Sequence, residues 1–249
     1  MLRSICLLAA GIVLAGLPAA VVGGESKTGF IDKVYKDGDG KEHKYVVFIP
    51  TDYKDDKDYP CILFLHGAGE KGTDGEKQAK VGFGKAIRDR IKDKKDCAFI
   101  AILPQAEKGW QANGADAKNA LAILDAVGKD YKVDKKRVYL TGLSMGGFGT
   151  WSLAASHPDR WAAMVPVCGG GDPKTADRIK DIPCWCFHGD ADDAVPVDRS
   201  RTMMQALWAA GGHPNYTEYP GVGHNSWDKA YATADLYEWL LKHQRKTKP

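Results

Sequence analysis

Apolar and polar positions fall into two kinds of block along this chain. Short apolar runs stand at 61–65 (CILFL), 98–103 (AFIAIL), 137–141 (RVYLT), 162–167 (AAMVPV) and 184–187 (CWCF). A more polar run, NYTEY, stands at 215–219. Runs of this length with little alternation predict strands covered on both faces. Upstream, residues 29–49 place Phe30, Val34, Tyr45, Val47 and Ile49 on either side of an Asp37-Gly38-Asp39-Gly40 turn, which predicts a hairpin. Between the runs, apolar residues take helical spacing over 80–94, 117–131, 147–156, 200–210 and 227–243. Strands alternating with helices predict a mostly parallel central sheet with helices on both faces, an α/β fold. No internal repeat or linker interrupts the pattern, so residues 25–249 are expected to form one domain.

The first residues follow another pattern. Arg3 is followed by an apolar run from Ile5 to Leu17 and then by small residues, the layout of a secretory signal. Residues 1–24 are therefore expected to be a signal peptide, cleaved after Ala20 or Gly24, and the mature protein to be secreted or periplasmic. The run is short for a membrane span of about 20 residues, so no stable membrane insertion is expected after cleavage. Hydrophobic residues make up 44% of the 249 and charged residues 27%, which suits a globular domain with a sizeable core. The net charge of +3 is spread without a basic block, and no nucleic-acid partner is expected. Cys61, Cys97, Cys168, Cys184 and Cys186 follow the signal region; their odd number and apolar settings read as buried free thiols. No zinc spacing is present, and neither a metal nor another cofactor is expected.

The candidate chemistry centres on TGLSMGGFG at 141–149. Gly142-Leu143-Ser144-Met145-Gly146 is a Gly-x-Ser-x-Gly, preceded by a predicted strand and followed by a predicted helix. That context lifts a serine hydroxyl above the end of a sheet on a sharp turn, with glycines relieving the crowding. A serine needs a base. Of the seven histidines, His224 lies in a loop after the last predicted strand, whereas His66 and His188 each precede a glycine at a strand end and read as structural. The acid that orients the base is expected in His188-Gly189-Asp190-Ala191-Asp192-Asp193, at a strand's carboxyl end. Residue order alone leaves Asp190, Asp192 and Asp193 open. Two backbone N–H groups should hold the developing oxyanion: that of Met145, after the serine, and that of Ala68, in the glycine-rich HGAGEKG loop after the first buried strand. Trp110 and Trp227 are candidates for apolar walls at a substrate site.

The segments LFLHGAGEKG, ILPQ with Trp110, YLTGLSMGGFGTW, CFHGDADDAVPVDRSR and GVGHNSWDKAY resemble small exported α/β-hydrolases. The likeness is to polyhydroxybutyrate depolymerase-like, feruloyl and acetyl xylan esterases, with dienelactone hydrolases and prolyl oligopeptidases as relatives. The resemblance implies the α/β-hydrolase fold. It assigns the acid of the HG-x-x-D pattern to Asp192, and it implies a Ser144–His224–Asp192 serine carboxylesterase. The expected substrates are esters, either small molecules or acyl groups carried on polysaccharides. Only 16 residues separate Cys168 from Pro183 inclusive, so no lid domain is expected there. A serine peptidase of prolyl oligopeptidase type and a catalytically silent carbohydrate-binding module are the alternatives.

Overall fold

The computed structural model describes residues 28–95 and 97–245; the expected signal segment lies outside the described residues. Eight strands form one sheet: β1 (Gly29–Lys36), β2 (Glu42–Ile49), β3 (Tyr59–Leu65), β4 (Ile100–Pro104), β5 (Val133–Leu143), β6 (Ala163–Val167), β7 (Trp185–Gly189) and β8 (Asn215–Tyr219). Their spatial order is β1-β2-β4-β3-β5-β6-β7-β8. β1 pairs antiparallel with β2, and β2 antiparallel with β4; every later pairing is parallel. All carboxyl ends from β3 to β8 therefore open on one edge.

Pleating sends alternate residues to opposite faces. Cys61, Leu63 and Leu65 of β3 face one core, with Ile62 and Phe64 facing the other. The first core is closed by α2 (Ala115–Asp130), α3 (Met145–Ser156), the short α4 (Ala176–Ile179) and α5 (Asp198–Ala209). The second is closed by α1 (Gly82–Lys92), α6 (Trp227–Ala232) and α7 (Ala234–Lys242). The predicted sandwich of helices around a mostly parallel sheet is thus the observed one. Cys61, Cys168, Cys184 and Cys186 are buried free thiols, and Cys97 is buried. Between β6 and β7 lie only one turn of 3-10 helix and α4, so no lid is inserted.

The predicted helix at 227–243 is broken. Thr233 takes extended angles (φ −58°, ψ 121°) between α6 and α7. Its hydroxyl donates to the Lys229 carbonyl at 3.1 Å and meets the Tyr219 hydroxyl, which holds the break against β8. The Thr side chain thus offers the backbone an alternative to continuous helix.

Candidate active site

β5 runs to Leu143 and α3 begins at Met145, so the whole chain reversal rests on Ser144. Ser144 has φ 51° and ψ −117°, a conformation that residues with a Cβ avoid and that persists only when the surroundings enforce it. Its N–H donates to the Val167 carbonyl at 3.0 Å, and its carbonyl accepts from Phe148 N–H at 3.0 Å. The turn closes because two neighbours lack side chains. A Cβ on Gly146 would stand 1.9 Å from the Leu65 carbonyl oxygen, and one on Gly142 would stand 2.3 Å from the Gly146 oxygen. Gly146→Ala is therefore expected to destabilise the protein by about 3 kcal/mol, the upper end for an added methyl in a packed interior. Urea unfolding checks this; a loss under about 1 kcal/mol would mean that β3 can yield.

His224 reaches this serine from the loop after β8. Its Nε2 lies 2.9 Å from Ser144 Oγ, and its Nδ1 lies 2.8 Å from Asp192 Oδ2. A carboxylate only accepts, so Nδ1 carries the ring proton and Nε2 is left to accept from the serine hydroxyl. The structure thus brings Ser144, Asp192 and His224 together in one hydrogen-bonded chain. Of the three carboxylates after β7, Asp192 turns inward, with its side chain fully buried. Asp193 is exposed. Asp190 Oδ1 accepts from Gly221 N–H at 2.6 Å, bracing the loop after β7 to the one after β8. The two loops also touch at Gly189, where a Cβ would lie 2.1 Å from the Val222 carbonyl oxygen.

Asp192 is saturated with donors. Oδ1 accepts from the N–H groups of Ala194 at 3.0 Å and Val195 at 2.8 Å. Oδ2 accepts from His224 and also from His188 Nε2 at 3.1 Å. Burial pushes the carboxyl up, but the His224 and backbone hydrogen bonds outweigh it and hold it below the ordinary Asp range. His188 is structural, as expected, and the residue that it supports is the acid. Its Nε2–H is shared with the Val195 carbonyl at 2.9 Å, and Nδ1 accepts from Ser200 Oγ at 2.7 Å. Burial lowers its pKa, so it serves Asp192 as a neutral donor. The signal was present in the sequence: His188 opens the HG-x-x-D stretch that contains Asp192.

The loop after β3 lies against the nucleophile turn. A Cβ on Gly67 would be 3.7 Å from Ser144 Cβ. Ala68 and Met145 each begin a helical turn, and their N–H groups enter no backbone hydrogen bond among the described residues. Glu70 packs under this loop, its Oε2 3.1 Å from where a Cβ on Gly67 would stand, and burial pushes its pKa up against the pull of nearby backbone amides. Its carbonyl accepts from Gln105 Nε2 at 2.9 Å.

His66 ties the ends of β3 and β4 together. Its Nδ1–H donates to the Gly67 carbonyl at 2.6 Å, and its Nε2 accepts from Ala106 N–H at 2.9 Å. Burial pushes its pKa down to about 4. The folded value lies below the unfolded one near 6.5, so the unfolded chain takes up the proton first as pH falls. The associated stability is complete above about pH 6.5 and lost as pH drops toward 4, about 3 kcal/mol in all. Urea unfolding at pH 7 and pH 4.5 should find His66→Gln less acid-sensitive than wild type. Equal sensitivity would assign acid unfolding to other groups.

The two tryptophans differ. Trp110 is 2% exposed, and its indole N–H donates to the His66 carbonyl at 2.9 Å, so it supports the site's floor more than it walls the opening. Trp227 is half-buried and stands edge-on to His224, with ring centres 5.3 Å apart. A groove of about 800 Å³ runs along α3 from Met145, lined by Trp110, Gln111, Phe148, Trp151 and Arg178 among others. Phe148, on its side, is 38% exposed. Among the described residues, one group of His, Cys, Asp or Glu has metal-ligand spacing: Cys168, Asp192 and His224.

Known proteins share this architecture. A crystal structure described as a thermostable esterase superposes with a TM-score of 0.80 at 34% identity, covering 87% of this chain and 63% of that one. A bifunctional acetylxylan esterase/xylanase, XynS20E, of Neocallimastix patriciarum is 27% identical over 82% of this chain. A protein named Probable feruloyl esterase C from Aspergillus niger is 29% identical over 75% of this chain and 68% of its own length. The chain spans only 29% of the Neocallimastix protein. The sheet order, the helices on both faces and these structural neighbours place it in the α/β-hydrolase fold. Residues 41–235 match the dienelactone hydrolase family along most of the chain, and the protein belongs to that family.

Proposed function

We propose that the protein is an exported serine carboxylesterase. The observation that carries this reading is the chain of hydrogen bonds Ser144 Oγ–His224 Nε2 and His224 Nδ1–Asp192 Oδ2. Ser144 attacks the ester carbonyl while His224 Nε2 takes the hydroxyl proton. Asp192 keeps the ring in the required tautomer and stabilises the imidazolium. The N–H groups of Met145 and Ala68 bind the oxyanion, each worth about 100- to 1000-fold in turnover. His224 protonates the departing alcohol, and a water activated by the same nitrogen releases the acid from Ser144.

Acyl esters on plant polysaccharides, feruloyl or acetyl, are the proposed substrates. The names of the relatives support this class. So does a site without an inserted lid, opening beside a long groove that leaves room for a bulky group. Export rests on the residues 1–24 pattern, and among the described residues no helix is long and apolar enough to cross a membrane.

The test is a substrate panel: p-nitrophenyl acetate, butyrate and octanoate, methyl ferulate, acetylated xylan and a Pro-p-nitroanilide. Turnover of esters with methyl ferulate or acetylated xylan preferred is expected. Preferential cleavage of the anilide would replace the esterase reading with a peptidase one. Inertness throughout, together with resistance of Ser144 to a fluorophosphonate, would leave a binding module.

A further inference from the structure

Beneath the proposed triad lies a thiol that the mechanism does not use. Cys168 follows β6, which pairs on one side with β5, leading to Ser144, and on the other with β7, leading to Asp192. Its backbone is held at φ 39°, and its N–H donates to the Phe187 carbonyl at 2.8 Å. The sulfur, a carboxylate oxygen of Asp192 and a ring nitrogen of His224 all lie within 4.8 Å of one another. A fourth donor stands beside them. Ser226 Oγ, two residues after His224, is fully buried and makes no hydrogen bond among the described residues.

Sulfur, imidazole nitrogen and carboxylate oxygen together form the donor set of a tetrahedral site for zinc or its heavier congener cadmium. Bond lengths of about 2.0–2.3 Å to Zn²⁺ would require the three side chains to close in by about an ångström. His224 is partly exposed and gives the ion a way in, whereas Asp192 and Cys168 are buried.

We propose that Cys168, Asp192 and His224 form an inhibitory site for a thiophilic divalent cation, Zn²⁺ or Cd²⁺, with Ser226 Oγ as the fourth donor. The metal–sulfur bond forms as the Cys168 thiol gives its proton to buffer. The single ring proton of His224 moves to whichever nitrogen does not hold the metal. A metal on Nδ1 leaves Nε2 protonated and unable to accept from Ser144; a metal on Nε2 blocks it outright. No electron is transferred, and a chelator reverses the change. Metal binding displaces the thiol proton, so affinity is expected to rise with pH.

Inhibition rests on the esterase reading; metal binding does not. The purified protein is therefore titrated with Cd²⁺ while the ultraviolet Cd–thiolate absorption and the heat of binding are followed, and ester hydrolysis is measured separately. Wild type is expected to bind one ion with a thiolate band and to lose activity, with recovery on adding EDTA. Cys168→Ala should lose the band, keep basal activity within about threefold, and need at least tenfold more metal for inhibition. His224→Ala should weaken Cd²⁺ binding at least tenfold, in line with loss of one ligand. The proposal is overturned if wild type gives no thiolate band, if His224→Ala binds as tightly as wild type, or if Cys168→Ala is inhibited at the same concentration. Should Cys168→Ala not fold, the wild-type band and the His224→Ala affinity decide it. A protein that binds Cd²⁺ as described but cleaves no ester would overturn the proposed function and leave the metal site standing.

Discussion

Ser144→Ala is expected to lower kcat for a p-nitrophenyl ester by about a millionfold, leaving the rate that the oxyanion donors and binding alone provide. The hydroxyl is the group that the proposed mechanism acylates, and His224 Nε2 lies 2.9 Å from it. The variant should fold normally. The strained φ of 51° is carried by the backbone and by glycine-lined packing around it, not by the Oγ atom. Single-turnover hydrolysis beside a thermal melt separates the two effects. A variant that melts with wild type yet retains a tenth of its activity would remove Ser144 from the mechanism.

Asp192→Asn is expected to cost about 10⁴-fold in kcat, through the proton it places on the wrong nitrogen. The reason lies in the four donors around the carboxylate. The N–H groups of Ala194 and Val195 require an acceptor at the Oδ1 position, so the Asn oxygen must stay there. Its NH₂ group then occupies the Oδ2 position and faces His224 Nδ1 and His188 Nε2. His224 must accept at Nδ1, and its proton shifts to Nε2, where it confronts Ser144. His188 is left pointing its N–H at another donor. The rotated amide would instead strand two backbone donors. Steady-state kinetics with the ester panel check the first effect. Urea unfolding checks the second, a loss of about 2–3 kcal/mol for buried polar groups without partners. Activity within tenfold of wild type would mean that another carboxylate orients the base.

The parts of this site that were legible in the sequence are those encoded locally. Unbroken apolar runs marked β3 to β7 because strands covered on both faces have no polar side. Gly142, Ser144 and Gly146 marked the turn because their spacing is local, although the atom that excludes a Cβ at Gly146 is the Leu65 carbonyl oxygen of β3. The acid was less legible. Asp190, Asp192 and Asp193 share one loop and one chemistry, and the fold distinguishes them by turning Asp192 toward His224, a residue 32 positions away. Resemblance to a family pattern supplied what local reasoning could not. His188 is structural, as its setting suggests, but that its partner is the acid itself could not be read from local spacing. Trp110 does line the groove beside Met145, but the hydrogen bond of its indole N–H to the His66 carbonyl joins residues 44 positions apart and could not be read from local spacing. The antiparallel pairing of β2 with β4 depends on crossovers between distant strands, and no local spacing encodes it. The break at Thr233 depends on a hydroxyl contact to Tyr219 across the fold.

The contact at Gly189 and the Asp190–Gly221 hydrogen bond sew two surface loops into one body. Asp192 rides on one loop and His224 on the other, so the pair shifts as a unit relative to the separately anchored serine. The expected consequence is that a change in loop position alters the Ser144–His224 distance before it alters the spacing of acid and base. Chimeras between homologues inherit the same constraint. An exchange that moves the His224 loop without its β7 neighbour severs the stitch, whereas β7 through the His224 loop can travel together as one cassette.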